Sequence, residues 1–482
     1  VPKWDPEKCI QCNFCSYVCP HAVIRPVAMT DEEIKGAPER LKSIDLNGMP
    51  EYKFAMSISV YDCTGCGSCA NVCPGKKGEK ALTMVPFEGR QGAQEIFDYC
   101  NSLPEKKEVV DKFKINTVKG SQFKRPLLEF SGACAGCGET PYAKLLTQLF
   151  GDRMYVGNAT GCTSIWGNSS PATPYTVNER GRGPAWSNSL FEDAAEFGYG
   201  MLLAQNAIRD RLKRQVTELA KESADVKAAA DKWIETFAVG ALNGDATDAL
   251  IKALEKDGSA EAKDILKDKD FLSKKSQWAF GGDGWAYDIG FGGLDHVIAS
   301  GKDINIFVFD TEVYSNTGGQ SSKATPMGAV AKFAASGKKS RKKDLGAIMM
   351  TYGNVYVAQV AMGANPNQLI KAVKEAEEYD GPSIVIAYTP CASHGICIGM
   401  HRVQEEMKRA VESGYWLLYR YDPRKEHPFQ LDSKAPTMPY KEFLAGEVRY
   451  NSLTRSFPDN ADKLFEQGSI DAEERYRRYS EM

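Results

Sequence analysis

Cys9-Ile10-Gln11-Cys12-Asn13-Phe14-Cys15-Ser16-Tyr17-Val18-Cys19-Pro20, and again Cys63-Thr64-Gly65-Cys66-Gly67-Ser68-Cys69-Ala70-Asn71-Val72-Cys73-Pro74, decide the fold of the first part of this 482-residue chain. Both runs read C-x2-C-x2-C-x3-C-P, the spacing with which a bacterial iron–sulfur unit holds two [4Fe–4S] cubanes. Three thiolates on one tight loop wrap three irons, and the fourth, starting the next segment, points to the other cluster. The predicted ligand sets are therefore crossed: Cys9, Cys12 and Cys15 with Cys73, and Cys63, Cys66 and Cys69 with Cys19. Paired C-x2-C units also bind zinc, but a tetrahedral ion needs only four thiolates, and eight stand here in two identical runs.

The remainder can bury a large core, since 43% of the residues are apolar, and the length suggests about three domains. A net charge of −3 argues against nucleic acid or an anionic membrane as partner. No apolar run approaches the roughly 18 residues of a membrane span. The sequence starts at Val1, without an initiator Met or signal-peptide pattern, and reads as a processed or truncated piece of something longer. Thiolates reserved for iron suit a reducing cytoplasm.

Residues 1–85 are predicted to form a small α+β two-cluster domain, with 26–52 a polar surface excursion and 86–125 a linker broken by Pro86 and Pro104. From 126 to 435 short β-rich segments alternate with helical ones, the pattern of an α/β domain on a parallel sheet. Strands are expected over 154–157, 278–281, 304–309, 347–350, 356–360 and 384–388, and helices over 141–150, 190–216, 285–300, 367–379 and 401–413. Residues 209–275, with Leu212, Val216 and Leu219 at helical spacing, read as a helical insertion outside the sheet. The tail 436–482 reads as helical and polar, without chemistry.

Gly281-Gly282-Asp283-Gly284 follows an apolar strand and opens a helix. Glycines let a backbone approach a ligand, a helix start offers N–H groups to an anion, and Asp283 is a hard oxygen ligand for Mg²⁺. G-D-G is also an ordinary tight turn. What raises it is the helix-plus-strand stretch 285–309, which delivers a second parallel strand end, Asp310-Thr311-Glu312-Val313-Tyr314-Ser315-Asn316, to the same crevice.

Together these residues resemble the thiamine-diphosphate motif, G-D-G followed after about 26 residues by paired asparagines, with Asp310-Thr311 standing in place of the pair. GDGWAYDIG at 282–290 and DTEVYSNTGGQ at 310–320 look like the pyruvate:ferredoxin (flavodoxin) oxidoreductase family. The resemblance implies that Asp283, the Thr311 hydroxyl and the Val313 carbonyl hold Mg²⁺. It further implies that Gly282, Gly284, Trp285, Glu312, Tyr314 and Ser315 line the cofactor and that Asn316, a catalytic candidate, lies near the reactive thiazolium.

A third cysteine set is less specific. Cys134 and Cys137 form one C-x2-C, Cys162 follows, and the next thiols are Cys391 and Cys397. On spacing alone this could be a cluster, a zinc site or core thiols, and either late cysteine could be the fourth ligand. The resemblance assigns a proximal [4Fe–4S] cluster to Cys134, Cys137, Cys162 and Cys391, and places Glu139 and Cys162 against the thiamine. Cys100 and Cys397 are then spare. His394, beside Cys391, is a candidate for tuning the cluster or touching substrate, while His21, His296, His401 and His427 read as structural. Trp166, Trp186 and Trp285 read as packing residues rather than cofactor platforms.

The resemblance covers nearly the whole chain. It implies a ferredoxin-like domain followed by the C-terminal part of a thiamine enzyme that oxidatively decarboxylates pyruvate with coenzyme A to acetyl-CoA and CO₂. Electrons would pass through three [4Fe–4S] clusters to ferredoxin or flavodoxin. No second sheet is visible to activate the aminopyrimidine, so upstream domains or another subunit are expected to complete the site, in a homodimer of the full enzyme, and the chain alone is expected to be inactive. Another 2-oxo acid such as 2-oxoglutarate, or a role as an electron-transfer subunit, are the alternative readings.

Overall fold

The computed structural model describes residues 1–168 and 172–482, and in it every residue of the strands Asn305–Asp310 and Ser383–Tyr388 is buried. Such uninterrupted apolar strands need cover on both faces. They sit near the centre of an eight-stranded sheet ordered Phe429–Leu431, Tyr419–Tyr421, Tyr356–Val360, Ser383–Tyr388, Asn305–Asp310, Ser276–Gly282, Met154–Ala159 and Ala185–Ser189. The last six run parallel and the first two add antiparallel at one edge. Parallel neighbours require crossovers; the helices Ala194–Glu222, Phe291–Ala299 and Pro366–Glu377 stand between successive strands. Ser276–Gly282 and Asn305–Asp310, whose ends carry the two halves of the predicted site, are direct neighbours.

Residues 347–350 are not a strand. They lie in the helix Leu345–Met350, begun by the Asp344 carboxylate, which accepts from the Ala347 N–H at 3.1 Å; a short buried apolar run has no period to separate the two forms. The helix expected over 285–300 is also broken. Gly284–Ile289 is wound as a π-helix and Phe291–Ala299 continues as an α-helix. The cause is Trp285, whose ring folds back so closely that a Cβ on Gly281 or on Gly290 would stand 2.3 Å from it. Single π turns recur at functional sites. Gly281→Ala is expected to destabilise the protein by about 1–3 kcal/mol through this overpacking, read as a lowered melting temperature.

In the N-terminal unit, residues 26–52 combine strand segments with a surface stretch over 30–43 that carries the helix Asp31–Lys35. Ile24–Met29, Met49–Ile58 and Ile44–Leu46 form an antiparallel sheet, and Leu46 and Met49 are buried between exposed Asp45 and Glu51, which mask them in the sequence. Residues 86–125 carry the helices Ala93–Ser102, Lys107–Phe113 and Val118–Ser121, with Phe97, Cys100 and Val109 buried. Within 209–275 the end of Ala194–Glu222 and the helices Ala224–Glu235, Gly240–Asp257 and Ala260–Lys267 close around their own core of Leu212, Val216, Trp233 and Leu250.

The two-cluster unit is seated firmly on the large sheet domain. Tyr17 and Val18, between two cysteines of the first run, belong to the large domain's core. The Ser16 hydroxyl donates to Gln122 Oε1 at 2.9 Å, and the Lys144 ammonium donates to the Ser16 and Tyr17 carbonyls.

Candidate functional site

Among the cysteines of the two runs, Cys12 feels the charge of Cys9 and Cys73, and Cys63 and Cys69 feel Cys19 and Cys66, as crossed sets require; Cys15 feels Cys69 first and then Cys12, Cys9 and Cys73, so it stands between the two groups. None is in a disulfide. Positive φ at Gln11 (59°), Gly65 (71°) and Gly67 (84°) turns the loops around each set. The Gln11 N–H donates to Cys9 Sγ and the Gly65 N–H to Cys63 Sγ, both at 3.4 Å. N–H groups aimed at sulfur are what an anionic cluster requires of its cradle. Among the described residues no three His, Cys, Asp or Glu side chains close around a point as a single metal ion demands. A cubane spreads its thiolates over four irons and needs no such convergence on one point.

Cys134, Cys137, Cys162 and Cys391 are the expected third set. Cys162 feels Cys391, Cys137 and Cys134. The same i to i+2 N–H···S geometry recurs: Glu139 N–H to Cys137 Sγ and Ser393 N–H to Cys391 Sγ, each 3.4 Å. Burial first, then Glu139, pushes the Cys137 thiol up to about 12 and Cys162 higher still; such thiols are poor acids alone and are retained as thiolates by metal. Cys397 is elsewhere, exposed, its thiol facing the Gly395 and Ala445 carbonyls. Cys100 is buried among Met29 and Ala55.

Cys162 also lines a crevice of about 130 Å³ with Glu139, Gly282, Asp283, Gly284, Trp285, Thr311, Val313, Tyr314, Ser315 and Asn316. These are the residues predicted to meet the thiamine, Glu312 excepted. Thr160, Gly161, Thr163, Phe191 and Thr317 complete the wall. A larger cavity of about 600 Å³ lies apart from this chemistry, and Glu312 faces it.

Asp283 is 1% exposed, and its immediate partners are hydroxyls: Thr311 Oγ1 at 3.0 Å and Ser322 Oγ at 2.5 Å. Burial, then the nearby Asp310 carboxylate, pushes its carboxyl up to about 8. Thr311 Oγ1 is also 3.0 Å from the Val313 carbonyl oxygen. An octahedron with Mg–O of about 2.1 Å has edges of about 3.0 Å, and Thr311 Oγ1 stands at that spacing from both the Asp283 carboxylate and the Val313 carbonyl. Ser322, 39 residues from Asp283, carries no sequence signal.

Glu312 has φ 60° and turns its side chain away from the crevice. Its carboxylate accepts from Lys342 at 3.0 Å and Arg449 at 2.7 Å, and from the Tyr415 hydroxyl. Although burial opposes ionisation, Lys342 and Arg449 hold this group down to about 2. It is a structural anchor, correcting its assignment to the cofactor. His394 is fully buried, with Nε2 2.7 Å from the Thr311 carbonyl and Nδ1 3.5 Å from Glu447; it supports the loop rather than reaching substrate. Trp166 does more than pack: its indole N–H donates to Glu139 Oε2 at 2.6 Å. Burial still raises Glu139 to about 7, the indole only moderating it. Trp186 stacks on Tyr175.

Residues 268–387 match the model of the thiamine pyrophosphate enzyme C-terminal TPP binding domain, and residues 8–78 that of a 4Fe-4S dicluster domain. All of the chain aligns with pyruvate:ferredoxin oxidoreductase of Moorella thermoacetica at 55% identity, covering 42% of that protein. It likewise aligns with pyruvate-flavodoxin oxidoreductase of Klebsiella pneumoniae at 53% identity, covering 41%, and with the mitochondrial pyruvate dehydrogenase [NADP(+)] of Euglena gracilis at 46%, covering 27%. The chain thus spans less than half the length of these relatives. A solved chain of 2-oxoglutarate:ferredoxin oxidoreductase from Magnetococcus marinus overlaps 55% of this chain and 65% of its own length at 17% identity and a TM-score of 0.33, too low to bear on the fold.

Proposed function

We propose, on the premise that this chain is a homologue over its whole length of the pyruvate:ferredoxin and pyruvate-flavodoxin oxidoreductases, that it is the thiamine-binding and electron-exporting segment of a 2-oxo acid oxidoreductase. The reaction is oxidative decarboxylation of pyruvate with coenzyme A, with ferredoxin or flavodoxin as acceptor. One observation carries the reading: Cys162 belongs both to the third thiolate set and to the crevice between Asp283 and Asn316. When bound, thiamine diphosphate supplies the carbanion chemistry that releases CO₂, and [4Fe–4S] clusters accept electrons singly.

The chain's own residues then have defined tasks. Asp283, Thr311 and Val313 hold Mg²⁺ and so anchor the diphosphate, and His394 fixes the Thr311 backbone that presents one of the ligands. Asn316 lines the same crevice and would face the bound ring. Glu139, near 7 and pinned by Trp166, can hold or release a proton at Oε close to neutral pH. Cys134, Cys137 and Cys391 complete the proximal ligand set. The residues that activate the aminopyrimidine and bind pyruvate and coenzyme A are expected in the part of the enzyme this chain does not span, contributed within a homodimer in a reducing cytoplasm.

Cys12→Ala in the holoenzyme tests the relay. Pyruvate-dependent CO₂ exchange should stay within about twofold while acceptor reduction falls at least about tenfold. Unchanged acceptor reduction would mean that the two N-terminal clusters are not in series.

A further inference from the structure

Lys144 is 2% exposed, on the helix Thr140–Phe150 that starts three residues after Cys137. Its ammonium donates only to two backbone carbonyls, Ser16 and Tyr17, the latter at 3.0 Å. Among the described residues no carboxylate lies within ion-pair distance of it. Burial draws this ammonium down to about 8, and neighbouring anions oppose that shift. The anions in reach are thiolates: Cys19 first, then Cys15. Conversely, Lys144 is the charge that most favours ionised Cys19.

Other cations near the clusters are already compensated or screened. Arg25 is paired with Glu129, and Lys119, beside Cys9 and Cys12, is only half buried. The loop that carries Cys19 also touches the loop of Cys134. His21, two residues after Cys19, has Nε2 3.0 Å from the carbonyl of Ala133, the neighbour of Cys134, and Nδ1 3.4 Å from the Thr64 hydroxyl beside Cys63.

A [4Fe–4S] cluster with four thiolates is net negative, and more so when reduced, so a fixed buried cation stabilises the reduced form more. We propose that the Lys144 ammonium raises the reduction potential of the cluster held by Cys63, Cys66, Cys69 and Cys19, making it the preferred acceptor of electrons leaving the proximal cluster. The proposal rests on the three-cluster reading above.

Electron paramagnetic resonance during redox titration of the Lys144→Gln holoenzyme tests it. At the potential where one cluster of the native enzyme is half reduced, its reduced-to-oxidised ratio should fall at least about tenfold, equivalent to 59 mV for one electron. The other two midpoints should move less. Lys144→Arg, which keeps the charge, should hold the native midpoint. All midpoints unchanged in a fully iron-loaded Gln variant, or an Arg variant shifted as far as Gln, overturns the proposal. Should the Gln variant fail to load iron, Lys144→Met reads the same quantity. A native enzyme lacking three clusters would instead sink the reading on which the proposal rests.

Discussion

Asp283→Asn is expected to weaken thiamine diphosphate and Mg²⁺ binding by about a hundredfold or more while making the cofactor-depleted protein harder to unfold at pH 8.5. Both effects come from one buried carboxylate. On the proposed reading a divalent cation answers the charge of Asp283 in the holoenzyme, and an amide cannot replace it. In the depleted protein the same carboxylate is buried near Asp310, hydrogen-bonded to the Thr311 and Ser322 hydroxyls, with the more distant Lys342 ammonium only partly offsetting the cost. Its folded value of about 8 lies above the ordinary 3.8. The folded state therefore binds this proton more tightly than the unfolded state does. Stability is greatest below 3.8, is lost as pH rises from there to about 8, and is level above. Asparagine removes the titration, and the two hydroxyls can turn to accept from or donate to it. The gap between variant and native protein should thus open with rising pH and be full above about 8. Urea denaturation of both depleted proteins at pH 5 and 8.5, with calorimetry of cofactor binding, checks this. A variant less stable at pH 8.5 would show that Asp283 is already neutralised inside the chain.

The two-cluster unit was legible because a cubane imposes its dimensions on the loop that wraps it, so C-x2-C-x2-C-x3-C-P carries geometry. The crevice was legible for a similar reason: G-D-G and the Asp310–Asn316 stretch are each local, and adjacent parallel strands bring their ends together. Glu312 was misread because its direction depends on a φ of 60°, which no neighbour in sequence announces, and on Arg449, 137 residues away. Ser322 and Lys144 escape for the same reason, since a single hydroxyl or lysine acting across the fold has no period or motif. The helix 345–350 was misassigned on composition: Leu, Ile and Met in a buried run suit either form, and the Asp344 cap was overlooked. The sheet within 26–52 was hidden by a strand that shows charged residues on its outer side.

Cys162→Ala, Cys391→Ala and Cys397→Ala together should separate a cluster beside the cofactor from thiols that merely pack. The first two are expected to remove about four of about twelve irons and to lower acceptor reduction by about a hundredfold or more; the third should lose neither. Spacing alone leaves Cys391 and Cys397 equivalent, but the fold does not. Cys391 shares the charge environment of Cys137 and Cys162, and its sulfur accepts from the Ser393 N–H as the ferredoxin-type thiols do from theirs. Cys397 is exposed and faces carbonyls, which repel a thiolate. Cys162 is the more informative of the two ligands because it also lines the crevice, so its loss need not empty the thiamine site: Asp283, Thr311 and Val313 are untouched. Cys162→Ala should therefore still bind thiamine diphosphate and Mg²⁺ and exchange CO₂, with the electrons left no adjacent carrier. Iron analysis, CO₂ exchange and acceptor reduction on the three proteins give the answer. Full iron in Cys162→Ala, or iron lost from Cys397→Ala in place of Cys391→Ala, would mean that the ring and the cubane do not share a wall.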